Sequence, residues 1–427
     1  MSSVLRKIRR SKQKRLDRGA QVVSREHFEA MELDSRVQLI QNLTSIALMH
    51  ISEVIAEEVT RLAGPRYAHD SSDSPVHRYG SNPGTVRLAG QKVPLQVPRV
   101  RGENGEIPLE SYRKFREGPG EVEEKLLRRV LHGISCRNYE SAADAIPGAI
   151  GLSSSSVSRS FVAASAAQLK AFQERDLSEE DYVAIFLDGK SFADTLLVVA
   201  LGVTMDGTKR PLGFVEASTE NKKTMVEFLR SLLARGLDVS QGILVVIDGA
   251  KGLRAAAREA FARRVVIGRC HWHKRENVVS YLARNEQASW RKRLQRALDR
   301  PTHKEAREAL EALHRELEEI NQSAAASLLE GLDEILTLHR LGVFEQCGRS
   351  FKTTNCLENI NGMVEESCSK VDCWKNSNQK QRWMVAALLD IEPRLRRIKG
   401  HRHLQKLREA VRRELKIETT VSETKAA

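Results

Sequence analysis

The runs VAIFLDG (residues 183–189) and ILVVIDG (residues 243–249) share one build: a short apolar stretch rich in β-branched residues that ends in Asp-Gly. Each has the length of a buried strand rather than a helix. Between and around them lie TLLVVALGVT, PLGFVEAS, a helical pattern over 222–235, a second helix over 252–263 and VVIGRC. Three strands in meander followed by helix, strand, helix and strand predicts a mixed α/β sheet. The strands are apolar throughout, as in a sheet covered on both faces. Asp188 and Asp248 are then expected to emerge at strand carboxyl ends, and neighbouring strands lie about 5 Å apart, near enough for two carboxylates to share a divalent cation. The competing reading of each Asp-Gly pair is a hairpin turn.

A third acid stands in TTNCLENING (residues 353–362). Glu358 on a helix would complete an oxygen-rich site for Mg²⁺ or Mn²⁺, with two ions per site. Its competitor is a capping box, because Asn355-x-x-Glu358 has that form. Glu365, seven residues on, lies on the same helix face and is the next candidate if Glu358 fails.

The order Asp188, Asp248, Cys270-x-x-His273-Lys274 with Asn277, then Thr353-Thr354-Asn355-x-x-Glu358-x-x-Asn361 resembles the bacterial insertion-sequence transposases of the Mutator superfamily. The likeness covers roughly residues 30–395, and the spacing of 110 from Asp248 to Glu358 resembles that family's long helical insertion before the final glutamate. The resemblance implies an RNase H-like catalytic domain in which Asp188, Asp248 and Glu358 form the acidic triad. It implies Mg²⁺-dependent cleavage and strand transfer on DNA, with element terminal inverted repeats and target DNA as partners and a homo-oligomer on the DNA. Cys270, His273, Lys274, Asn277, Asn355 and Asn361 become supporting residues of that site. His271 places a second histidine between Cys270 and His273, so spacing alone selects His273.

Composition agrees. The 427 residues suffice for two or three domains, and 41% hydrophobic content supports a sizeable core. No apolar run approaches the ~18 residues of a membrane span, and the start, MSSVLRKIRRSKQKR, has no secretory pattern. The expected location is the bacterial cytoplasm, at the nucleoid. Six scattered cysteines do not form a disulfide framework. Residues 1–20 carry eight Lys or Arg against one Asp, and residues 391–416 carry ten against three Glu, so the two ends hold the whole net charge of +13. Such arms, with Arg6, Lys7, Arg9 and Arg10 in the first, suit phosphate contact that weakens in salt.

The expected organisation is a basic arm and helices over 1–70, with helix over 28–63 and apolar positions Leu39, Leu43, Ile46, Met49 and Val54. A small basic β element follows over 71–116, with strands between 84 and 116, a turn at Glu103-Asn104-Gly105, and Pro94 and Pro98 confining it to edge strands. Residues 117–175 read as a helix-turn-helix-like DNA-binding region. There a helix stops near Pro147-Gly148, Gly151 turns, and Ser153 or Ser154 caps a helix. That helix would present Ser155, Ser156, Ser158 and Arg159 to a groove, and the motif's apolar positions Ile150, Val157 and Phe161 would pack inside. The catalytic domain occupies 176–275 and 351–395, interrupted by a helical insertion over 276–350 and followed by a basic tail over 396–427. The fold class is therefore multi-domain α/β (α+β), an RNase H-like mixed sheet with a helical insertion behind a DNA-binding region.

Other chemistries are weaker. Cys270, His271 and His273 with Cys368 and Cys373 could hold zinc, but the C-x4-C half is nonspecific. No serine sits on a Gly-flanked elbow, and there is no Walker loop or GxGxxG. Lys190, Lys251, Lys274 and Arg275 lie close enough in sequence to meet phosphate. Two alternatives remain: an RNase H-like nuclease or resolvase that cuts without joining, and a non-catalytic DNA-binding regulator.

Overall fold

The computed structural model describes residues 33–66, 75–88, 91–117, 130–131, 154–192, 195–217, 221–369 and 371–417, with side chains of the first helix from residue 47 onward except 49. Arg6, Lys7, Arg9, Arg10, Pro147, Gly148, Ile150, Gly151 and Ser153 lie outside these residues. The chain divides into two compact units.

The first holds helix α1 (Leu33–Ala63), strands β1 (His77–Leu88), β2 (Gln91–Gly102) and β3 (Gly105–Ile107), and helix α2 (Glu110–Glu117). Its antiparallel sheet runs β1-β2-β3, with the expected turn at residues 103–104 and Gly105 at φ +115°. The core joins Ile51, Ile55 and Val59 of α1 to Val86, Val93, Val97 and Val100. Val54 is instead 42% exposed, because the buried stripe follows the four-residue spacing of Ile51, Ile55 and Val59. β2 is the central strand, a correction to the edge-strand expectation. The prolines are nonetheless accommodated, since β3 pairs only with residues 100–102 and leaves β2 a single neighbour at Pro94 and Pro98. The end of the expected β element is helical. Glu58, more than fifty residues upstream, accepts the backbone N–H of Glu110 and of Ser111 at 2.9 Å each and caps α2 from across the core.

The second unit contains α3 (Ser154–Gln173) from Val157 onward and the chain that follows. Its sheet has β4 (Tyr182–Phe192), β5 (Thr195–Thr204), β6 (Lys209–Ala217), β7 (Ile243–Ile247) and β8 (Val265–Arg269) in the order β6-β5-β4-β7-β8. β4 to β6 form an antiparallel meander, while β7 and β8 run parallel to β4. Helices α4 (Lys222–Ala234) and α5 (Lys251–Phe261) provide the right-sized crossovers. Strand residues sort by parity. Ile185, Leu187, Val245 and Ile247 join the core beneath α4 and α5. Ala184, Phe186, Leu244 and Val246 join the opposite core.

After β8 the chain becomes helical: α6 (His271–Val279), α7 (Arg284–Leu298), α8 (His303–Ile320), α9 (Gln322–Leu329) and α10 (Leu332–Ile335). Trp290, Leu294, Leu310, Leu317 and Leu328 give this segment its own core. Its ends meet. His271 Nε2 stands 2.9 Å from the Ile335 carbonyl, and Thr337 Oγ1 donates to the Ile267 carbonyl at 2.7 Å. The segment thus leaves and re-enters the sheet domain at one place, and Leu338, Leu341, Val343 and Cys347 already belong to the sheet's core. Helices α11 (Thr337–Arg340), α12 (Phe344–Phe351), α13 (Asn355–Cys368), α14 (Ser377–Ile391) and α15 (Leu404–Glu414) follow. α14 stops at Ile391, before Pro393, because proline cannot continue the ladder. The basic end also departs from expectation. Leu404, Leu407, Ala410 and Val411 are core residues, and Arg408, 6% exposed, donates to Asp181 at 2.6 Å and to the Tyr182 carbonyl at 2.9 Å. Part of that positive charge is structural.

Candidate active site

Asp188 continues the parity row of Ala184-Phe186 on the face of β4 covered by α13, and Asp248 directly follows the last residue of β7; the charges of both act on His273. Their strands are parallel neighbours whose last registered pair is Leu187 with Ile247, one residue before each aspartate. Asp248 leaves its strand as expected and enters a turn that leads to α5. There its Oδ1 accepts the Ala250 N–H at 2.9 Å. Asp188 does not end its strand: β4 runs on to Phe192, paired with β5 through Asp188–Val199 and Gly189–Val198. It ends only the parallel pairing, because β5 is longer than β7. Neither Asp-Gly pair is a hairpin turn. Asp188 is 5% exposed, a buried carboxylate at a sheet surface.

Glu358 is exposed and lies in the first turn of α13. Thr354, not Asn355, is the N-cap residue, so the capping box does not form. Two observations lay α13 along β4. Leu357, Ile360 and Val364 enter the core beside Phe186, and Lys190, two residues beyond Asp188, pairs with Glu365 at 2.8 Å. Glu358 and Glu365 share a helix face, as Asp188 and Lys190 share a strand face. Among the described residues, no three His, Cys, Asp or Glu side chains converge as a ready-made metal group.

Cys270 and His273 join this region to the start of α13. Cys270 is fully buried as the N-cap of α6, and its Sγ accepts the Thr354 N–H at 3.4 Å and its hydroxyl at 3.6 Å. Thr354 Oγ1 is also 3.4 Å from His273 Nδ1. Burial alone would lower the His273 pKa. A hydrogen bond to Cys270 and the charges of Cys270, Asp188 and Asp248 outweigh it and raise the value to about 9. Burial likewise opposes ionisation of Cys270, but hydrogen bonds to His273 and Thr354 and the His273 charge together outweigh it and lower the thiol's pKa. His271 faces elsewhere: burial pushes its pKa down to about 4, and its ring stacks at 6.1 Å on both His339 and Phe344. Geometry therefore separates the two histidines that spacing alone had to choose between. Cys368 is buried in the core and Cys373 is exposed.

The remaining candidates disperse. Lys274 is 1% exposed and donates to the Glu330 carbonyl at 2.5 Å. Arg275 pairs with Glu276 and Gln295, and Lys251 is exposed at the start of α5. Asn277 and Asn355 are exposed, whereas Asn361 is 4% exposed. Ser155, Ser158 and Arg159 are exposed on the first turns of α3 and Ser156 is half-buried, while Val157 and Phe161 are buried as expected. One surface escaped sequence reading. Tyr79 is 45% exposed in the first unit, with Arg99 and Arg101 at 5.0 and 5.1 Å from its ring centroid. The signal available was the alternation Arg99-x-Arg101, but Tyr79 reaches it only through a register shift between Arg78 and Ser81.

The raised His273 pKa predicts an NMR titration. The imidazole should titrate near pH 9 in the wild type and clearly lower in Asp188→Asn, which removes one of the charges holding the proton. Because the folded pKa exceeds the unfolded value, this stabilisation is complete below about pH 6.5 and is lost as pH rises through about 9. Identical titration in wild type and Asp188→Asn would remove His273 from the aspartates' neighbourhood.

Residues 19–396 match the family described as "Transposase, Mutator family". The chain is 26% identical over 311 residues to the transposase for insertion sequence element IS256 in transposon Tn4001 of Staphylococcus aureus, covering 70% of this chain and 76% of that one. It is 27% identical over 360 residues to the transposase for IS406 of Burkholderia multivorans, covering 80% and 88%. For the transposase for IS905 of Lactococcus lactis, the figures are 24% over 365 residues, 83% and 88%.

Proposed function

Since the chain belongs to the Mutator family of transposases, we propose that it binds the ends of an insertion sequence and cuts and rejoins DNA there, with Asp188, Asp248 and Glu358 as its acidic triad. One observation carries this reading: Asp188 on β4 and Asp248, one residue past the end of the adjacent parallel strand β7, each follow the registered pair Leu187–Ile247, and the helix bearing Glu358 packs over β4. The order β6-β5-β4-β7-β8, a meander joined to two parallel strands, supports an RNase H-like sheet.

The donor set is all carboxylate oxygen, from buried Asp188, half-buried Asp248 and exposed Glu358, which fits hard cations such as Mg²⁺ or Mn²⁺. When bound, such ions polarise the scissile phosphate and lower the pKa of water or of a terminal 3′-hydroxyl. The reaction has two in-line displacements. Water attacks the phosphodiester at the element end and frees a 3′-hydroxyl, and that hydroxyl attacks a target phosphodiester and displaces its 3′-oxygen. No protein nucleophile is required. His273 holds a proton beside the aspartates and lessens their mutual repulsion.

DNA recognition is assigned to the chain before residue 176. The start of α3, with Ser155, Ser156, Ser158 and Arg159, offers short polar groups suited to base edges as the second helix of a helix-turn-helix. The Tyr79 face adds a stacking ring between two guanidiniums. The basic N-terminal arm supplies sequence-independent affinity. Replacing Ser156, Ser158 and Arg159 together with alanine should erase the preference for element ends over random DNA in gel-shift titrations. Deleting residues 1–20 should weaken both equally and flatten the salt dependence. An unchanged preference in the triple variant would overturn the assignment of α3.

The function itself is tested with a labelled element end and a supercoiled target. Label joined to target supports transposition, cleavage without joining supports the nuclease reading, and retarded but intact DNA supports a regulator. The intact triad and the insertion favour joining.

A further inference from the structure

Arg269 closes β8, is 7% exposed, and has its guanidinium wedged between two glycines. On one side is Gly249, the residue after Asp248, at φ +122°, where a Cβ would meet Arg269 Nε at 2.2 Å. On the other is Gly331, at φ +70°, where a Cβ would meet Nη1 at 2.5 Å. Only glycine fits either place. This close fit leaves Nε, buried, without an acceptor among the described residues. Polar contacts then tie the same guanidinium to the helical insertion. Nη1 donates to the Glu330 carbonyl at 3.1 Å, and both terminal nitrogens stand 3.3 Å from Glu330 Oε2. Lys274, buried alongside, donates to the same carbonyl. Four residues on, Glu334 holds Arg254 of α5 at 3.1 Å, and α5 begins directly after the turn that Asp248 opens. The insertion thus holds Arg269, packed against Gly249, and Arg254 of the helix that follows the Asp248 turn, while supplying no triad carboxylate.

We propose that Arg269 is a positioning residue for Asp248, and that the insertion, through Glu330-Gly331 and Glu334, sets the conformation of the turn at residues 248–250. The proposal rests on the reading of Asp248 as a metal ligand. A carboxylate on a short turn directs a cation well only if the turn is held, and Mg²⁺ tolerates little departure from octahedral geometry. Supporting shells of this kind commonly govern affinity at metal sites. Docking of the insertion would then be linked to readiness of the site.

The test compares full-length wild type, Arg269→Lys, Glu330→Gln and the control Leu310→Ala, which loosens the insertion's own core. Hydrogen exchange at the Ala250 amide, which Asp248 accepts, is followed without divalent ions. Element-end cleavage is then titrated with Mg²⁺ and with Mn²⁺. Both Arg269→Lys and Glu330→Gln should speed Ala250 exchange and raise the half-saturating Mg²⁺ by about tenfold or more, with Mn²⁺ restoring most of the loss. Leu310→Ala should lower the melting temperature and leave the Mn²⁺-to-Mg²⁺ ratio alone. Unchanged exchange in both variants, or an equal ratio shift in Leu310→Ala, would overturn the proposal. Faster exchange with an unmoved Mg²⁺ dependence, in a protein that Asp248→Asn inactivates, would also refute it. If Asp248→Asn still cleaves, the failure belongs to the triad reading instead. Should Arg269→Lys not fold, Glu330→Gln alone decides, since it keeps volume and removes only charge.

Discussion

Asp188→Asn, Asp248→Asn and Glu358→Gln should each lower element-end cleavage by about a thousandfold or more, since loss of a ligand charge removes several kcal/mol of transition-state stabilisation and each 1.36 kcal/mol is tenfold. Each replacement preserves volume, and DNA affinity should stay near the wild-type value because recognition is assigned to residues before 176. The three should also be non-additive, the double variants falling no further than the singles, as expected of groups that act on one centre. Cleavage and gel-shift assays on the same preparations check this. Robust Mg²⁺-dependent cleavage by any one variant would remove that residue from the triad, and for Glu358 would bring Glu365 forward, although its pairing with Lys190 already gives that carboxylate a partner.

Phe351→Ala should cost about 3–5 kcal/mol of stability in the second unit, the usual penalty for emptying a buried aromatic site. Phe351 is 2% exposed and stacks on Phe186 at 5.5 Å with an interplanar angle of 6°. It stands at the end of α12, four residues before the helix that carries Glu358 begins, so its loss frees the segment that returns that acid to the sheet. Against a typical total of ~5–15 kcal/mol this is a large fraction. The first unit has its own core of Ile51, Ile55, Val59 and the β1–β2 valines. Thermal denaturation should therefore show one transition displaced to lower temperature and a second unmoved. A single unshifted transition would deny Phe351 its role in seating α13.

The sheet domain was legible because its signal is local. Each strand is a short apolar run bounded by turn chemistry, and Asp188 and Asp248 each follow the last registered pair of the parallel strands β4 and β7. What sequence could not supply was set by partners far along the chain. Glu58 caps α2 from more than fifty residues away, so residues 110–117 carry no cap of their own to read. β4 extends past Asp188 because β5 is there to pair with it, which apolarity alone does not encode. The C-terminal positive charge resembled a solvated arm until Leu404, Leu407 and Val411 were seen to bury one side of α15 and draw Arg408 inward. Their spacing of three and four residues was present in the sequence and outweighed by the surrounding charge. At the site, Cys270-x-x-His273 was visible as a motif, yet only the fold distinguishes His273, raised by its hydrogen bond to Cys270 and the charges of Cys270 and the two aspartates, from His271, buried and depressed. The wedge of Arg269 between Gly249 and Gly331 joins positions too distant for any local pattern to reveal.

The central claim is that three carboxylates scattered over 171 residues of sequence hold the same cations. The most direct measurement is a Mn²⁺ titration of the full-length protein bound to an element-end duplex, with free ion counted by electron paramagnetic resonance. Two ions should bind per wild-type chain, and Asp188→Asn, Asp248→Asn and Glu358→Gln should each lose at least one of them. Equal numbers of ions at equal affinity in the wild type and all three variants would contradict the claim.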